Sequence, residues 1–128
     1  DKYENFYFVG RKKDSIRVKG ENISAWEIET NIALHEDISE VAVLGIKAQI
    51  GEQDMIALII KKKKKNLLIK NLFKYFINKM NKNHIPRYWA FVNSFPRTTT
   101  LRVDKKLINL SDIMFYDSHK DKFTYKKD

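Results

Sequence analysis

Two short apolar runs constrain the fold more than any other feature of this sequence. Val41–Ile46 and Met55–Ile60 each span six residues, are rich in β-branched side chains and are separated by a polar loop that contains Gly51. Six residues are too few for a helix of ordinary length, and such compact apolar runs are typical of buried strands. The sequence therefore predicts two adjacent buried strands.

Two helices are predicted beside these strands. Ser24 and Glu27 have the spacing of a capping box, in which two side chains satisfy backbone amides at the start of a helix. Ala25, Ile28 and Ile32 then recur at helical spacing and mark its inner face. A second amphipathic helix is indicated by the apolar residues that follow a run of lysines, namely Leu68, Leu72, Phe73, Phe76, Ile77 and Met80.

Alternating side chains near the start of the chain predict a hairpin. Aromatic and polar residues alternate in Tyr3–Val9, the pattern breaks at Gly10–Asp14, and alternation resumes in Ile16–Lys19. Gly20–Asn22 is expected to form a turn that leads into the first helix.

The second half of the chain predicts one more strand and a short helix. Tyr88–Val92 resembles a strand, and a helix that begins near Asp104 would point Leu107 and Ile108 inward. Ser111–Asp128 has no clean period and is predicted to be a tail that lies on the surface. The predicted fold is α+β, with a small three-stranded sheet, packed helices and a preceding two-stranded hairpin.

Composition excludes several classes of function. A chain of 128 residues fits one domain, and no apolar run approaches the roughly 18 residues that a membrane span requires. The chain has no cysteine, and its three histidines, His35, His84 and His119, are far apart in the sequence. It also has no glycine-rich phosphate loop and no nucleophile elbow. We therefore expect a cytoplasmic domain with no metal site, no hydrolase site and no signal peptide.

The net charge of +9 suggests nucleic acid or an acidic surface as a partner. In that alternative, the chain is a stand-alone basic module for RNA or protein, and the aromatic residues of Tyr3–Val9 provide stacking platforms. We favour the other interpretation, because lysines are spread along the chain and the dense cluster Lys61–Lys65 follows a predicted strand, where a solvated turn is expected. No nucleic-acid partner is expected.

Two segments combine basic residues with turn-forming ones more densely than a surface turn requires. They are Gly10–Asn22 and Phe95–Lys106, and both place Arg and Lys in positions suited to oxyanions such as phosphate or carboxylate. The alternative is that both are surface turns with incidental basic residues.

At these segments the sequence resembles the C-terminal domain of the adenylate-forming superfamily, which includes acyl-CoA synthetases, firefly luciferase and peptide-synthetase adenylation domains. The resemblance rests on YFVGRKKDSIRVKGENISAWEIE, EDISEVAVLGIKAQIGEQDMIALII and NKNHIPRYWAFVNSFPRTTTLRVDKKLI, which cover most of the chain. IPRYWAFVNSFPRT followed by RVDKK is most similar to crotonobetaine/carnitine-CoA ligases.

The resemblance implies a mobile lid of an ATP-dependent acyl-CoA ligase that uses ATP, Mg²⁺ and CoA. Such enzymes join a carboxylate to ATP and then transfer the acyl group to CoA, while the C-terminal domain rotates against its own N-terminal adenylation domain. Residues 1–13 would be the end of that domain and the hinge, 14–110 the lid and 111–128 the tail. The lid alone would be inactive, because it lacks the ATP and acyl pockets.

The resemblance also assigns roles in the first segment. Arg11 would contact the adenylate ribose, and Lys13 would be the hinge, with Asp14 as the alternative. Gly20 would line the CoA pantetheine tunnel, although a plain turn with positive φ explains this glycine almost as well. Asn22 stands where several relatives carry an arginine that contacts phosphate.

In the second segment, relatives usually carry Gly-Lys where this chain has Leu101 and Arg102. That lysine stabilises charge as carboxylate and α-phosphate combine, and arginine preserves the charge but not the compact ammonium. The resemblance thus assigns a catalytic role to Arg102, with Lys105 as a second candidate cation. A degenerate ligase without catalysis is the alternative.

Overall fold

A computed structural model describes residues 15–47, 53–62 and 67–125. Its strands and helices, in chain order, are β1 (Ser15–Val18), β2 (Glu21–Ser24), α1 (Ala25–Ala33), β3 (Ile38–Lys47), β4 (Gln53–Lys61), α2 (Ile69–Ile77), β5 (Tyr88–Phe91), β6 (Met114–Asp117) and β7 (Lys122–Tyr125). Single turns of 3-10 helix form at Lys82–His84, Lys105–Leu107 and Leu110–Asp112.

The main sheet has the strand order β3-β4-β5-β6-β7, and β1 pairs with β2 in a separate hairpin. β4 and β5 are parallel and joined through α2, whereas the other neighbouring strands are antiparallel. The predicted α+β class is confirmed. The two apolar runs are β3 and β4, and Tyr88–Phe91 is the third predicted strand.

The sheet has five strands rather than three, because the segment predicted as a tail folds into β6 and β7. β6 buries Phe115, Tyr116 and also Asp117, so it lacks the alternation of apolar and polar residues by which a strand is recognised. β7 is mostly exposed and only four residues long. The sequence of neither strand therefore shows a pattern that predicts a strand.

The hairpin is formed by β1 and β2, which contribute Ile16 and Ile23 to the core. β1 is the second strand of the predicted hairpin, but its partner is β2, a segment we predicted as a turn and helix start. Tyr3–Val9, the partner expected from the sequence, lies outside the described residues.

The first predicted helix is confirmed. Ser24 is the N-cap of α1, its side chain accepts a hydrogen bond from the Glu27 amide at 3.4 Å, and Ala25, Ile28 and Ile32 are buried.

In α2 the buried residues are Ile69, Leu72 and Phe76, which lie on one face. Leu68 precedes the helix and Ile77 ends it, and both are exposed, contrary to the predicted inner face. The nine-residue helix is too short to bury the whole predicted stripe, and Ile77 lies about 100° around the axis from Phe76.

The sheet is covered on both faces. In β4, Met55, Ala57 and Ile59 pack with the helices and the β1–β2 hairpin, whereas Ile56 and Leu58 pack on the opposite face. We call the first set the helix-side core and the second the loop-side core. The loop-side core is completed by residues from the segment after β5, including Phe95, Val103, Ile108 and Ile113.

The predicted helix near Asp104 is a single 3-10 turn, Lys105–Leu107, and Asp104 caps it by accepting from the Lys106 amide at 3.3 Å. Ile108 packs against the loop-side core, but Leu107 is 66% exposed, contrary to expectation. Ile108 already has extended backbone, so a single turn of helix cannot point both side chains inward.

Arg87 joins three strands of the sheet. Its guanidinium donates to both carboxylate oxygens of Asp117 at 3.0 and 3.1 Å and to Asp54 at 3.3 Å. Burial alone would raise the pKa of Asp117, but the bonds from Arg87 and from the backbone amides of His119 and Lys120 outweigh it and lower that pKa. This network holds β4, β5 and β6 together.

Candidate functional site

The structure places the predicted site residues in two separate regions. Gly20 and Asn22 belong to the β1–β2 hairpin, and Arg102 and Lys105 lie in the segment after β5. Arg11, Lys13 and the alternative hinge residue Asp14 lie outside the described residues. The structure therefore describes two site residues from each predicted segment, and the two pairs lie in different regions.

The hairpin turn consists of Lys19 and Gly20, which join the paired residues Val18 and Glu21. Both have positive φ, 49° for Lys19 and 83° for Gly20, as in the two-residue turns that match the twist of a hairpin. A Cβ added to Gly20 would meet no atom within 4 Å. The backbone conformation therefore favours glycine here, and the space beside it is open.

A groove borders this turn. Its larger part has a volume of about 510 Å³, with an apolar wall from α2 and the segment that follows, and with Lys19, Lys82 and His119 among its polar lining residues. A smaller part of about 220 Å³ adjoins it and also includes Lys19, Lys82 and His119, together with Asn83 and Arg87. Apolar and cationic surfaces thus meet beside Lys19, the other residue of the turn.

Asn22 contributes to the same hairpin. It lies opposite Arg17 in the strand register, and its side-chain oxygen accepts a hydrogen bond from the Arg17 guanidinium at 3.3 Å. The positive charge beside Asn22 therefore comes from Arg17 of the paired strand β1. Both residues are exposed, so an anion at Asn22 would also meet the charge of Arg17.

The second region is a tight loop, here called the 97–103 loop. Arg97 pairs with Val103 across its base in an isolated β-bridge. Inside the base, the Thr98 amide donates to the Arg102 carbonyl at 2.8 Å and the Leu101 amide to the Thr98 carbonyl at 2.9 Å. The Asp104 amide donates to the Pro96 carbonyl at 2.8 Å just outside it. These hydrogen bonds close the loop at its base.

Leu101 occupies a glycine-like position in this loop. Its φ is 67°, in the left-handed region, and its side chain is 76% exposed. A leucine in this region has a conformational cost that glycine does not have, of order 1 kcal/mol or more. The sequence resemblance aligned Leu101 with a glycine, and the positive φ gives that alignment a structural reason.

Arg102 and Lys105 differ in their surroundings. Arg102 is exposed near the tip of the loop, and its amide donates to the Thr98 hydroxyl at 3.3 Å. Lys105 is only 21% exposed, and its ammonium lies 2.8 Å from a carboxylate oxygen of Glu29 and 2.8 Å from the Val43 carbonyl. Of these two cations, Arg102 is better placed to meet a ligand.

Three residues that sequence reasoning did not single out join the loop to the rest of the domain. One terminal nitrogen of Arg97 contacts both carboxylate oxygens of Glu40 in β3, and the other donates to the Leu101 carbonyl at 3.1 Å. Glu29 of α1 pairs with Lys105. The pair Arg97–Glu40 spans 57 positions of the sequence, so no local pattern could have revealed it.

The two regions lie on opposite faces of the sheet. The β1–β2 hairpin packs with the helix-side core through Ile16 and Ile23, whereas the 97–103 loop packs with the loop-side core through Val103. A ligand at one region would therefore be separated by the sheet from a ligand at the other.

In residues 15–47, 53–62 and 67–125, no group of three or more His, Asp or Glu side chains is arranged to hold a metal ion. Over the same ranges, no helix is both long enough and apolar enough to cross a membrane.

Curated relatives of the chain carry the name crotonobetaine/carnitine-CoA ligase. The protein from Escherichia coli is 30% identical over 106 residues, which cover 83% of this chain and 20% of the relative. The protein from Salmonella arizonae is 32% identical over 101 residues, which cover 79% of this chain. The chain thus spans about a fifth of the length of the curated relatives it matches.

Solved structures share the fold. ATP-bound MatB from Rhodopseudomonas palustris superposes with a TM-score of 0.69 at 24% identity, over 75% of this chain and 19% of that one. A fatty acyl CoA synthetase from Mycobacterium tuberculosis gives a TM-score of 0.65 at 25% identity, over 74% of this chain and 19% of that one. Residues 27–101 match the family described as the AMP-binding enzyme C-terminal domain, and this match together with the curated relatives shows that the chain belongs to that family.

Proposed function

We propose that this chain is the mobile lid of an ATP-dependent acyl-CoA ligase, acting with its own N-terminal adenylation domain in the cytoplasm. The parent enzyme would join a carboxylate to ATP, release pyrophosphate, and then transfer the acyl group from the acyl-adenylate to the thiol of CoA with release of AMP. Family membership and the names of the curated relatives support this reaction class.

One observation carries the proposal: the β1–β2 hairpin and the 97–103 loop pack against opposite faces of one sheet. A single lid cannot present both faces to one active site at the same time. Rotation of the lid between the half-reactions would bring the 97–103 loop to the site first and the Lys19–Gly20 turn second.

In the adenylation half-reaction, Arg102 would stabilise the negative charge that develops as the carboxylate attacks the α-phosphate. Arg102 is exposed at the loop tip, and charge complementarity in a closed site is worth several kcal/mol. Arg11 would contact the ribose and Lys13 would be the hinge. Mg²⁺ would arrive bound to ATP.

In the thioester half-reaction, the thiol arm of CoA would pass Gly20. The open space beside this glycine suits a chain that approaches the backbone closely, and the adjoining groove offers an apolar wall together with Lys19 and Lys82. CoA carries both apolar and phosphate groups, so this lining matches its chemistry. Asn22 and its partner Arg17 would contribute at the rim of the hairpin.

The lid alone is proposed to be inactive. Acceleration of a two-substrate reaction depends on holding both reactants in line, and each region of this domain offers only one surface of a closed site. Catalysis would require the adenylation domain to supply the pockets for ATP and the acyl group.

The test measures the two half-reactions separately in the full-length protein. Arg102→Ala should lower acid-dependent ATP–pyrophosphate exchange about 100-fold or more, while thioester formation from pre-made acyl-adenylate and CoA changes about twofold at most. Gly20→Leu should instead slow thioester formation strongly and leave ATP–pyrophosphate exchange nearly unchanged. Lys106→Ala, which removes an exposed cation from the same segment, is the matched control and should leave both rates unchanged.

Equal losses in both half-reactions for Arg102→Ala would contradict its assigned role. A wild-type protein with no exchange on any short or medium acyl acid would instead indicate a degenerate ligase.

A further inference from the structure

Lys105, Glu29 and Val43 form a closed ring of contacts. One Glu29 carboxylate oxygen accepts from the Val43 amide at 2.8 Å and lies 2.8 Å from the Lys105 ammonium. That ammonium also donates to the Val43 carbonyl at 2.8 Å. Both backbone groups of Val43 thus bond to side chains, and the ring ties the segment after the 97–103 loop to α1 and β3.

This ring is more than a surface ion pair. The side chains of Glu29 and Lys105 are 19% and 21% exposed, so much of their charge is removed from water and depends on the partner. Each also bonds a fixed backbone atom, which limits the geometries that the pair can adopt.

Arg97 and Glu40 form the second attachment. One terminal nitrogen of the Arg97 guanidinium contacts both oxygens of the Glu40 carboxylate, and its other terminal nitrogen donates to the Leu101 carbonyl at 3.1 Å. Because the guanidinium is planar, bonds from its two terminal nitrogens to two different groups fix its orientation as well as its position. Glu40 therefore also orients, through Arg97, the residue directly before Arg102.

The two attachments hold the base of the loop from both sides. One precedes the tip at Arg97 and one follows it at Lys105, and both end on β3, at Glu40 and at Val43. The tip itself, with Leu101 and Arg102, projects as an exposed turn.

We propose that Glu29 and Glu40 are positioning residues that aim the tip of the 97–103 loop, and that Lys105 belongs to this positioning apparatus rather than to the set of catalytic cations. The inference rests on the proposed function and decides between its two candidate cations in favour of Arg102. A cation that has to meet developing charge within a fraction of an ångström needs a rigid base, because small misplacements slow catalysis.

The geometric part is tested by hydrogen exchange measured by mass spectrometry on the full-length protein, in peptides that cover residues 95–107. Glu29→Gln and Glu40→Gln should each speed exchange of the hydrogen-bonded amides of Thr98, Leu101 and Asp104 about tenfold. Exchange in β4 and β5 should not change. The matched control is Asp121→Asn, which neutralises a carboxylate paired with Lys70 at 3.5 Å and should leave the loop unaffected.

The catalytic part is tested by the direction of the effect of Glu29→Gln on ATP–pyrophosphate exchange. In the proposed arrangement, Glu29→Gln and Lys105→Met each lower kcat about tenfold with little change in KM for ATP. The variant that carries both substitutions is no slower than either single variant, because both remove the same contact. Lys105→Arg, which keeps the positive charge, retains most of the activity. If Lys105 were the catalytic cation, Lys105→Met would lose as much as Arg102→Ala. Release of the ammonium by Glu29→Gln would then leave the rate unchanged or raise it.

Unaltered loop exchange in both glutamate variants would overturn the positioning role whatever the activity. Equal losses in both half-reactions would also overturn it, since they indicate a general loss of structure. A wild-type protein without adenylation activity would refute the proposed function and Arg102's role in it, while the hydrogen-exchange result would still decide whether Glu29 and Glu40 fix the loop.

Discussion

The Lys19–Gly20 turn and the 97–103 loop are both tight turns with positive φ, but they are held in different ways. The turn is closed by the two strands that flank it, which pair from Ser15 and Ser24 to Val18 and Glu21. The loop, in contrast, is tied by ion pairs to α1 and β3, elements that are distant in the sequence. The first depends mainly on pairing between residues close in the sequence, whereas the second also depends on contacts with distant elements.

The groove beside the turn has its own long-range network, and its loss should have the largest effect on stability. Asp117→Asn should lower the free energy of unfolding by about 3 kcal/mol, because it leaves the Arg87 guanidinium without its strongest partner in a mostly buried site. Denaturant unfolding measures this difference. A loss no larger than that of an exposed pair such as Lys70–Asp121 would contradict it.

The same network predicts a pH dependence. Because the pKa of Asp117 is lowered from 3.8 in the folded state, its contribution is fully present above pH 3.8 and is lost as the pH falls through the lowered folded value. Stability measured in this acid range should fall more steeply for the wild type than for Asp117→Asn. Parallel curves for the two proteins would show that Asp117 does not carry the effect.

Removal of the attachment of the loop should have an intermediate effect. Lys105→Met should lower the free energy of unfolding by about 1–2 kcal/mol, since Glu29 keeps the Val43 amide but loses its cation. Thermal unfolding measures the loss, and Lys106→Met, at the next and exposed position, is the matched control. Equal effects of the two variants would mean that the ring contributes nothing specific.

Substitution of the turn glycine should cost about 1 kcal/mol, because Gly20→Ala places a Cβ on a residue with φ of 83°. Gly20→Asn should cost less, since asparagine tolerates the left-handed region better than alanine. Thermal unfolding of the two variants tests the order. A reversed order would show that the turn does not keep this conformation in solution.

The smallest effect should have the opposite sign. Leu101→Gly should raise stability by roughly 0.5 kcal/mol, because relief of the left-handed leucine exceeds the added flexibility of the unfolded chain. The thermal midpoint should therefore rise slightly. A fall would mean that the exposed leucine contacts a neighbour that compensates for its backbone conformation.

The comparison of turn and loop also explains which elements and contacts could be predicted from the sequence. β3, β4 and the Ser24 N-cap of α1 were predicted correctly, because each depends on residues that are neighbours along the chain. The Lys105–Val43 contact was not, since 62 positions separate the two residues. Nothing in the sequence around Lys105 distinguishes a lysine committed to a backbone carbonyl from one that faces solvent.

The same limit applies to the additional strands. Asp117 has a polar side chain whose burial is compensated by Arg87, the residue before β5, so β6 does not resemble a strand until the sheet is assembled. Arg102 was selected through a family resemblance and its role stays a prediction. The positive φ of Leu101 supports the alignment of that segment, but not the chemistry assigned to it.

The ring at Val43 has a further consequence for the solubility of this domain. Among the described residues β3 is an outer strand of the sheet, and outer strands expose amide and carbonyl groups that can recruit strands from other molecules. Glu29 and Lys105 occupy both groups of Val43 near the middle of this strand and place two charged side chains there. A neighbouring chain could not add to β3 at this point without displacing an ion pair, so the contact that ties down the loop also blocks strand addition at Val43.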